Sequence, residues 1–272
     1  MNETPDFQAA TQTSQQTWSK GDFAMVANVV FHDADALAEE LEIIPGERVL
    51  DVACGSGNGA ISAARRAWGN TVGLDFVPEL LERARERAAA ERMEIEFVEG
   101  DAQELPFGDG EFDVTLSIFG AMFAPDQQRT ADELLRVTKP GGRIGMANWC
   151  PDGGLERLFM TVMKHTGGPP PGVVPPVLWG NEDHVRGLFG DGLSELRAER
   201  VKSRQPFFSP DHYIEFFRNY FGPIKSAYEK VGPEGEQALT EDLRQMLAEV
   251  NTAGDRALVI EPEYLRLIGT RA

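Results

Sequence analysis

Cysteine is scarce in this chain. Its 272 residues include two, Cys54 and Cys150, too few for a disulfide framework or a Cys-x-x-Cys site. The four histidines, His32, His165, His184 and His212, have no metal-ligand spacing such as His-x-x-x-His, so no metal is expected. No run approaches the ~20 apolar residues of a membrane span. Met1-Asn2-Glu3-Thr4-Pro5-Asp6 lacks the basic start and apolar core of a secretory signal, so a cytoplasmic location is expected. Positive charge is short as well: 26 basic residues face 44 acids, for a formal net charge of −18. Such a surface repels a phosphate backbone unless its cations cluster. They do not. Arg83, Arg85, Arg87 and Arg92 lie among Glu79, Glu82, Glu86 and Glu91, at spacings that predict ion pairs along a solvated helix face. Nucleic acid is therefore not the expected partner.

Glycine, by contrast, is concentrated where it carries information. Residues 49–52 form a short apolar strand, Cys54-Gly55-Ser56-Gly57 turns, and a helix follows over 58–67. Gly55 and Gly57 remove the Cβ atoms that would hold a ligand off the backbone, and a helix N-terminus suits a negatively charged ligand group. A nucleotide-like cofactor meets a parallel α/β sheet in this way. A second apolar strand, 72–75, ends in Asp75, 20 positions after Gly55, where a carboxylate meets ribose hydroxyls. A third, 95–98, runs into Glu99-Gly100-Asp101-Ala102, and a fourth spans 112–118. Their ends bring Gly55, Asp75, Asp101 and Ser117 to one crevice.

Over 48–149 the chain resembles the class I S-adenosylmethionine-dependent methyltransferases, in particular the type 11 group that includes ubiquinone/menaquinone-pathway enzymes. The resemblance rests on Leu50-Asp51-Val52-Ala53-Cys54-Gly55-Ser56-Gly57, Gly73-Leu74-Asp75, Gly100-Asp101-Ala102-Gln103-Glu104-Leu105-Pro106-Phe107, Phe112-Asp113-Val114 and Lys139-Pro140-Gly141-Gly142-Arg143-Ile144, in the family's order and spacing. Ala53 departs from the family's usual first glycine. The resemblance implies an α/β fold, a doubly wound, seven-stranded, mostly parallel sheet of the Rossmann-like methyltransferase type, with the last two strands as an antiparallel edge. It implies S-adenosylmethionine as cofactor and S-adenosylhomocysteine as product. The backbone from Ala53 to Gly57 would approach the methionine moiety, Asp75 accept from both ribose hydroxyls, and Asp101 accept from the adenine amine. Ala102 N–H would reach a ring nitrogen, Phe76 flank the adenine, and the Ser117 backbone meet the methionine amino group. Asp51 is read as a tie for the glycine turn, and Asp113 as a brace at its strand's start.

Two other readings stand beside this one. Gly55-Ser56-Gly57-Asn58-Gly59-Ala60 also satisfies a dinucleotide fingerprint, as in a nicotinamide-dependent oxidoreductase. That reading leaves Asp51, Asp101-Ala102 and Pro140-Gly141-Gly142 without roles, and no Tyr-x-x-x-Lys pair follows the fourth strand. The other is a non-catalytic S-adenosylmethionine-binding partner protein.

Three regions are expected. Residues 1–46 read as an N-terminal helical segment, either a lid with Trp18 near the methionine end or a packing helix. Residues 47–150 form the cofactor-binding core. Residues 151–272 supply a helical cap and the final strands, with helices at 155–164, 182–189, 210–221 and 234–250 and strands at 193–201 and 264–270. A proline-rich loop or lid over 167–172 and 175–176 interrupts them. The cap aromatics Phe207, Phe208, Tyr213, Phe216, Phe217, Tyr220 and Phe221 read as core. With Trp149, Met160, Met163 and Trp179 they also suit an apolar substrate cavity.

Methyl transfer from a sulfonium is an in-line displacement that requires alignment and exclusion of water. A hydroxyl or amine acceptor calls for a base within hydrogen-bond reach. Asn148 and Trp149, after the fifth strand, and His165 in the cap are the catalytic candidates; His184, His212, Tyr213, Tyr220 and Glu261 lie in the same region. The expected partner is a small apolar or aromatic methyl acceptor, modified on O, N or C by a monomer or homodimer.

Overall fold

A computed structural model describes residues 6–167 and 174–272. Helices α1 (Phe7–Trp18), α2 (Phe23–Ala27) and α3 (Phe31–Glu40) lead into β1 (Val49–Val52), α4 (Asn58–Ala67), β2 (Thr71–Asp75), α5 (Pro78–Ala90), β3 (Glu96–Glu99), β4 (Phe112–Ile118), α6 (Gln127–Val137) and β5 (Thr138–Trp149). Then come α7 (Gly154–Thr166), α8 (Glu182–Phe189), β6 (Leu193–Lys202), β7 (Gln205–Phe207), α9 (Pro210–Tyr220), α10 (Gly222–Val250), β8 (Leu258–Ile260) and β9 (Glu263–Arg271).

β1 and β2 are buried along their whole length, as strands covered by helices on both faces must be. The seven-stranded sheet runs β3-β2-β1-β4-β5-β9-β6. β1 to β5 pair in parallel, and β9 is antiparallel to both β5 and β6. The sheet is therefore mostly parallel, as expected, with one refinement: only β9 runs backwards, wedged between β5 and an edge strand that points the same way as β1. Strand order reverses between β1 and β4, and at such a switch point the connections diverge and leave a crevice at the strands' carboxyl ends.

Two cores support the fold. One surrounds the sheet and includes Leu50, Leu74, Leu116, Ile144 and Trp179. The other lies under the cap and includes Val26, Leu158, Tyr213, Phe217, Leu243 and Leu258. Phe207 and Phe221 join it, whereas Phe208 is exposed. α10 starts a dozen residues before its sequence signal because it continues across a kink at Gly232, whose φ of 62° no helix interior adopts. Pro233 sits at the first position after that break, where a missing N–H is tolerated. The β7–β8 ribbon pairs Gln205 with Ile260 and Phe207 with Leu258. Residues 168–173, most of the expected proline-rich loop, lie outside the described residues, and Pro176–Gly180 forms a 3-10 turn that buries Trp179. Among the described residues no helix is long and apolar enough to cross a membrane.

Candidate active site

After β1 the backbone turns through three left-handed residues, Ala53 (φ 56°), Gly55 (φ 54°) and Gly57 (φ 88°). For alanine this costs about 1–2 kcal/mol, so neighbours must hold it. Gly120, just beyond β4, packs against it so closely that a Cβ there would lie 2.2 Å from the Ala53 carbonyl oxygen. Asp51 ties down the far side, its Oδ2 accepting the Ala60 N–H at 2.7 Å. Asp75, at the end of β2, accepts the Gly55 N–H through Oδ2 at 2.8 Å and the Val77 N–H through Oδ1 at 2.9 Å. Arg87 does not join the solvated ion-pair face expected of α5, although Arg83 pairs there with Glu86. Its guanidinium turns inward and donates to Ser56 O at 2.6 Å and Asn58 Oδ1 at 2.8 Å, clamping the glycine turn from outside.

Burial dominates the electrostatics. It pushes the Asp51 carboxyl up to about 8, against the Ala60 hydrogen bond and with a further upward push from Asp75. It pushes Asp75 up to about 6, against three backbone hydrogen bonds. Asp51 Oδ1 is buried with no partner among the described residues, an unsatisfied acceptor on the wall of the crevice. The Cys54 thiol, buried beside both acids, is pushed well up and remains a protonated filler.

The crevice at the switch point is lined from the sheet side by Ala53, Gly55, Asp75, Phe76, Asp101 and Ala102. Its opposite wall is α1 and α2, which bring Thr11, Ser14, Trp18 and Phe23 over the strand ends. α1 is anchored there by side-chain hydrogen bonds. Gln15 Nε2 donates to Phe76 O, and Gln103 Nε2 donates to Thr11 Oγ1 at 2.9 Å while also bonding Asp101. Thr11, Gln15 and Gln103 carry no sequence signal for this role, although Gln103 stands inside the third motif.

A second cavity opens beyond Trp18, Phe23, Val30, Phe119 and Phe123, which line both spaces. Its far walls are Trp149, Tyr213, Phe217 and Phe221. Trp149 stacks on Phe119 with ring centroids 4.0 Å apart, and Tyr213 stacks on Phe217 at 4.3 Å. Of the larger apolar cavity expected, Met160 is exposed and Trp179 belongs to the sheet core; neither of them, nor Met163, lines this space.

Several expected site residues fall elsewhere. Ser117 is fully buried, with Oγ donating to Val52 O at 2.7 Å and accepting the Ala121 N–H at 2.9 Å; the crevice wall is made by the next residues, Ile118, Phe119 and Gly120. Gly57 stands behind the wall and shapes the turn. Trp149 reaches the second cavity, but Asn148 does not, because successive strand residues face opposite sides of the sheet. The buried Asn148 amide has no partner among the described residues. His165 lies outside both cavities and pairs its Nε2 with Asp242 Oδ2 at 2.8 Å, joining α7 to α10. Asp113 braces its strand as expected, accepting from Arg48 N–H and Lys139. Among the described residues no three His, Cys, Asp or Glu side chains gather as a metal site.

A methyltransferase domain family matches residues 49–142. An uncharacterized protein of Mycobacterium tuberculosis (strain ATCC 25618 / H37Rv) is 40% identical over 266 residues, covering 96% of this chain and 95% of its own. The demethylmenaquinone methyltransferase of Deinococcus radiodurans is 43% identical over 133 residues, 48% of this chain and 55% of that protein. The chain belongs to the class I S-adenosylmethionine-dependent methyltransferases. The crystal structure of the YcgJ protein from Bacillus subtilis superposes on this methyltransferase with a TM-score of 0.61 at 19% identity, over 88% of this chain and 98% of that one, a likeness of fold. The family sets aside the nicotinamide reading, and the crevice fits the family's cofactor. The backbone is bared at Gly55, Asp75 borders the crevice at the end of β2, and Asp51 Oδ1 has no partner among the described residues.

Proposed function

We propose that this enzyme methylates a small apolar or aromatic molecule held in the cavity between Trp149, Tyr213, Phe217 and Phe221. The observation that carries the reading is the shared wall: Trp18, Phe23, Val30, Phe119 and Phe123 border both the cofactor crevice and this apolar space. Two molecules held against the same side chains lie next to each other, the proximity that an in-line displacement requires.

Bound S-adenosylmethionine supplies a methyl group on a sulfonium, already activated for transfer. The protein's part is to bind, align and exclude water. Asp75 keeps acceptor capacity beyond its backbone hydrogen bonds to Gly55, Val77 and Phe76, and this accepts from the ribose hydroxyls. Asp101 and Ala102 face the adenine edge, and Phe76 its ring. The bare Asp51 Oδ1 takes a donor from the methionine ammonium. This assignment adds to its role in the glycine turn and moves the contact expected of Ser117 to the wall beside it. Trp18 and Phe23 line both spaces.

The test is transfer of labelled methyl from S-adenosylmethionine to a panel of neutral aromatic, aliphatic and highly charged acceptors. Label is expected in the neutral aromatic set. Phe217→Arg, which places a long cation in the apolar cavity, should abolish transfer while S-adenosylhomocysteine binds as before. Label found only in charged acceptors, or transfer unaffected by Phe217→Arg, contradicts the reading.

A further inference from the structure

We propose that Gln205 selects the methyl acceptor by accepting a hydrogen bond from it, and that the acceptor is a neutral aromatic compound carrying a phenol-type hydroxyl. The inference rests on the apolar cavity being the acceptor site. Among the described residues no charged side chain lines that cavity, so neither an ammonium nor a phenolate finds a counter-ion there. Beside the donor-only indoles of Trp18 and Trp149, its oxygen-bearing side chains are Gln205 and Tyr213, both nine-tenths buried or more.

The direction in which Gln205 presents its amide is fixed from behind. Ser203, itself buried, spends its hydroxyl proton on Asp33 Oδ2 at 2.6 Å. Its oxygen is left only as an acceptor, and the amide nitrogen of Gln205 donates to it at 3.3 Å. Asp33 is held in place by a further hydrogen bond from Tyr264; burial pushes its carboxyl up, and the Ser203 and Tyr264 bonds pull it down. The relay Asp33, Ser203, Gln205 therefore turns the amide so that its nitrogen points back and its carbonyl oxygen, Oε1, is left for the cavity. Oε1 has no hydrogen bond among the described residues, and the β7–β8 ribbon holds it there by pairing Gln205 with Ile260, another wall residue.

Tyr213 supplies the complementary group. Its hydroxyl has no protein partner among the described residues, and burial pushes the phenol far up, so it stays protonated and able to donate. A ligand hydroxyl donates to one such group and accepts from the other. An ether satisfies Tyr213 alone, leaving Gln205 Oε1 desolvated without a partner, the costly outcome in a buried site. Gln205 is thus a specificity residue, and Ser203 and Asp33 are positioning residues acting through it.

The experiment uses the full chain loaded with S-adenosylhomocysteine and compares 2-naphthol with 2-methoxynaphthalene at neutral pH by calorimetry or tryptophan quenching. The naphthol is expected to bind about tenfold tighter or more. Gln205→Leu should erase that preference by weakening the naphthol alone. Ser203→Ala, which frees the amide to turn round, should lower naphthol affinity and raise methoxynaphthalene affinity, a crossing that a purely structural role would not produce. Tyr213→Phe should weaken both probes. Equal affinities in the wild type, or a preference surviving in Gln205→Leu, would overturn the inference; if that variant fails to fold, the wild-type comparison and Ser203→Ala decide it. The loading titration separates the two levels. Failure to bind S-adenosylhomocysteine contradicts the proposed function, whereas normal loading without probe discrimination contradicts the role of Gln205 alone.

Discussion

The Gly55 amide donates to Asp75 Oδ2 at 2.8 Å, so the glycine turn after β1 and the acid at the end of β2 form one hydrogen-bonded unit. Because burial raises that carboxyl to about 6, cofactor binding through its ionised form is linked to pH. Affinity for S-adenosylhomocysteine should fall at least about tenfold for each pH unit below that value, with a proton released on binding in that range. Calorimetry in buffers of different ionisation enthalpy reads both.

The same shift acts oppositely on the ligand-free fold. The folded-state value of about 6 lies above the unfolded 3.8, so the folded chain holds this proton more tightly. The resulting stabilisation is complete below 3.8 and is lost as pH rises through about 6. Asp51, raised to about 8, extends the decline to higher pH. Urea unfolding across this window should show ligand-free stability falling where ligand affinity rises, once measured against Asp75→Asn and Asp51→Asn.

Asp51→Asn should separate stability from binding. The asparagine carbonyl still accepts from Ala60, and a buried charge beside Asp75 is gone. At mildly alkaline pH the melting temperature of the ligand-free variant should equal or exceed that of the wild type, while affinity for S-adenosylhomocysteine drops about tenfold from loss of a charge-assisted hydrogen bond. Scanning calorimetry and titration check the pair of effects.

Gly120→Ala should damage both. The new methyl would stand 2.2 Å from the Ala53 carbonyl oxygen, so the glycine turn or the end of β4 must move. A loss of about 1–3 kcal/mol in urea unfolding is expected, together with weakened cofactor binding.

His165→Ala should leave methyl transfer within about twofold of wild type, because the side chain pairs with Asp242 away from both cavities. A labelled-methyl assay decides it.

Much of the scaffold was legible because its signals are local. β1, α4, β4 and α8 begin and end where their apolar runs and breakers place them, and Asp75 stands at the crevice as its distance from Gly55 predicts. The three-residue strands β7 and β8 are too short for a period to show, and Pro206 argues against a strand. Arg87 is indistinguishable in sequence from its solvated neighbours, since its inward turn depends on Ser56, 31 positions away. Gln205 lines the second cavity and His165 does not, for the same reason. Which cap residue faces the acceptor space is settled by how α9, α10 and the ribbon pack on the sheet, and no spacing along the chain encodes that.

On the proposed reading, Asp75 holds the S-adenosyl cofactor in the crevice. Calorimetric titration of the purified protein with S-adenosylhomocysteine, alongside NADH and with Asp75→Ala as control, tests it directly. Saturable one-site binding that collapses in the variant, with no response to NADH, is the predicted result. Absence of S-adenosylhomocysteine binding, or binding that persists unchanged in Asp75→Ala, would contradict it.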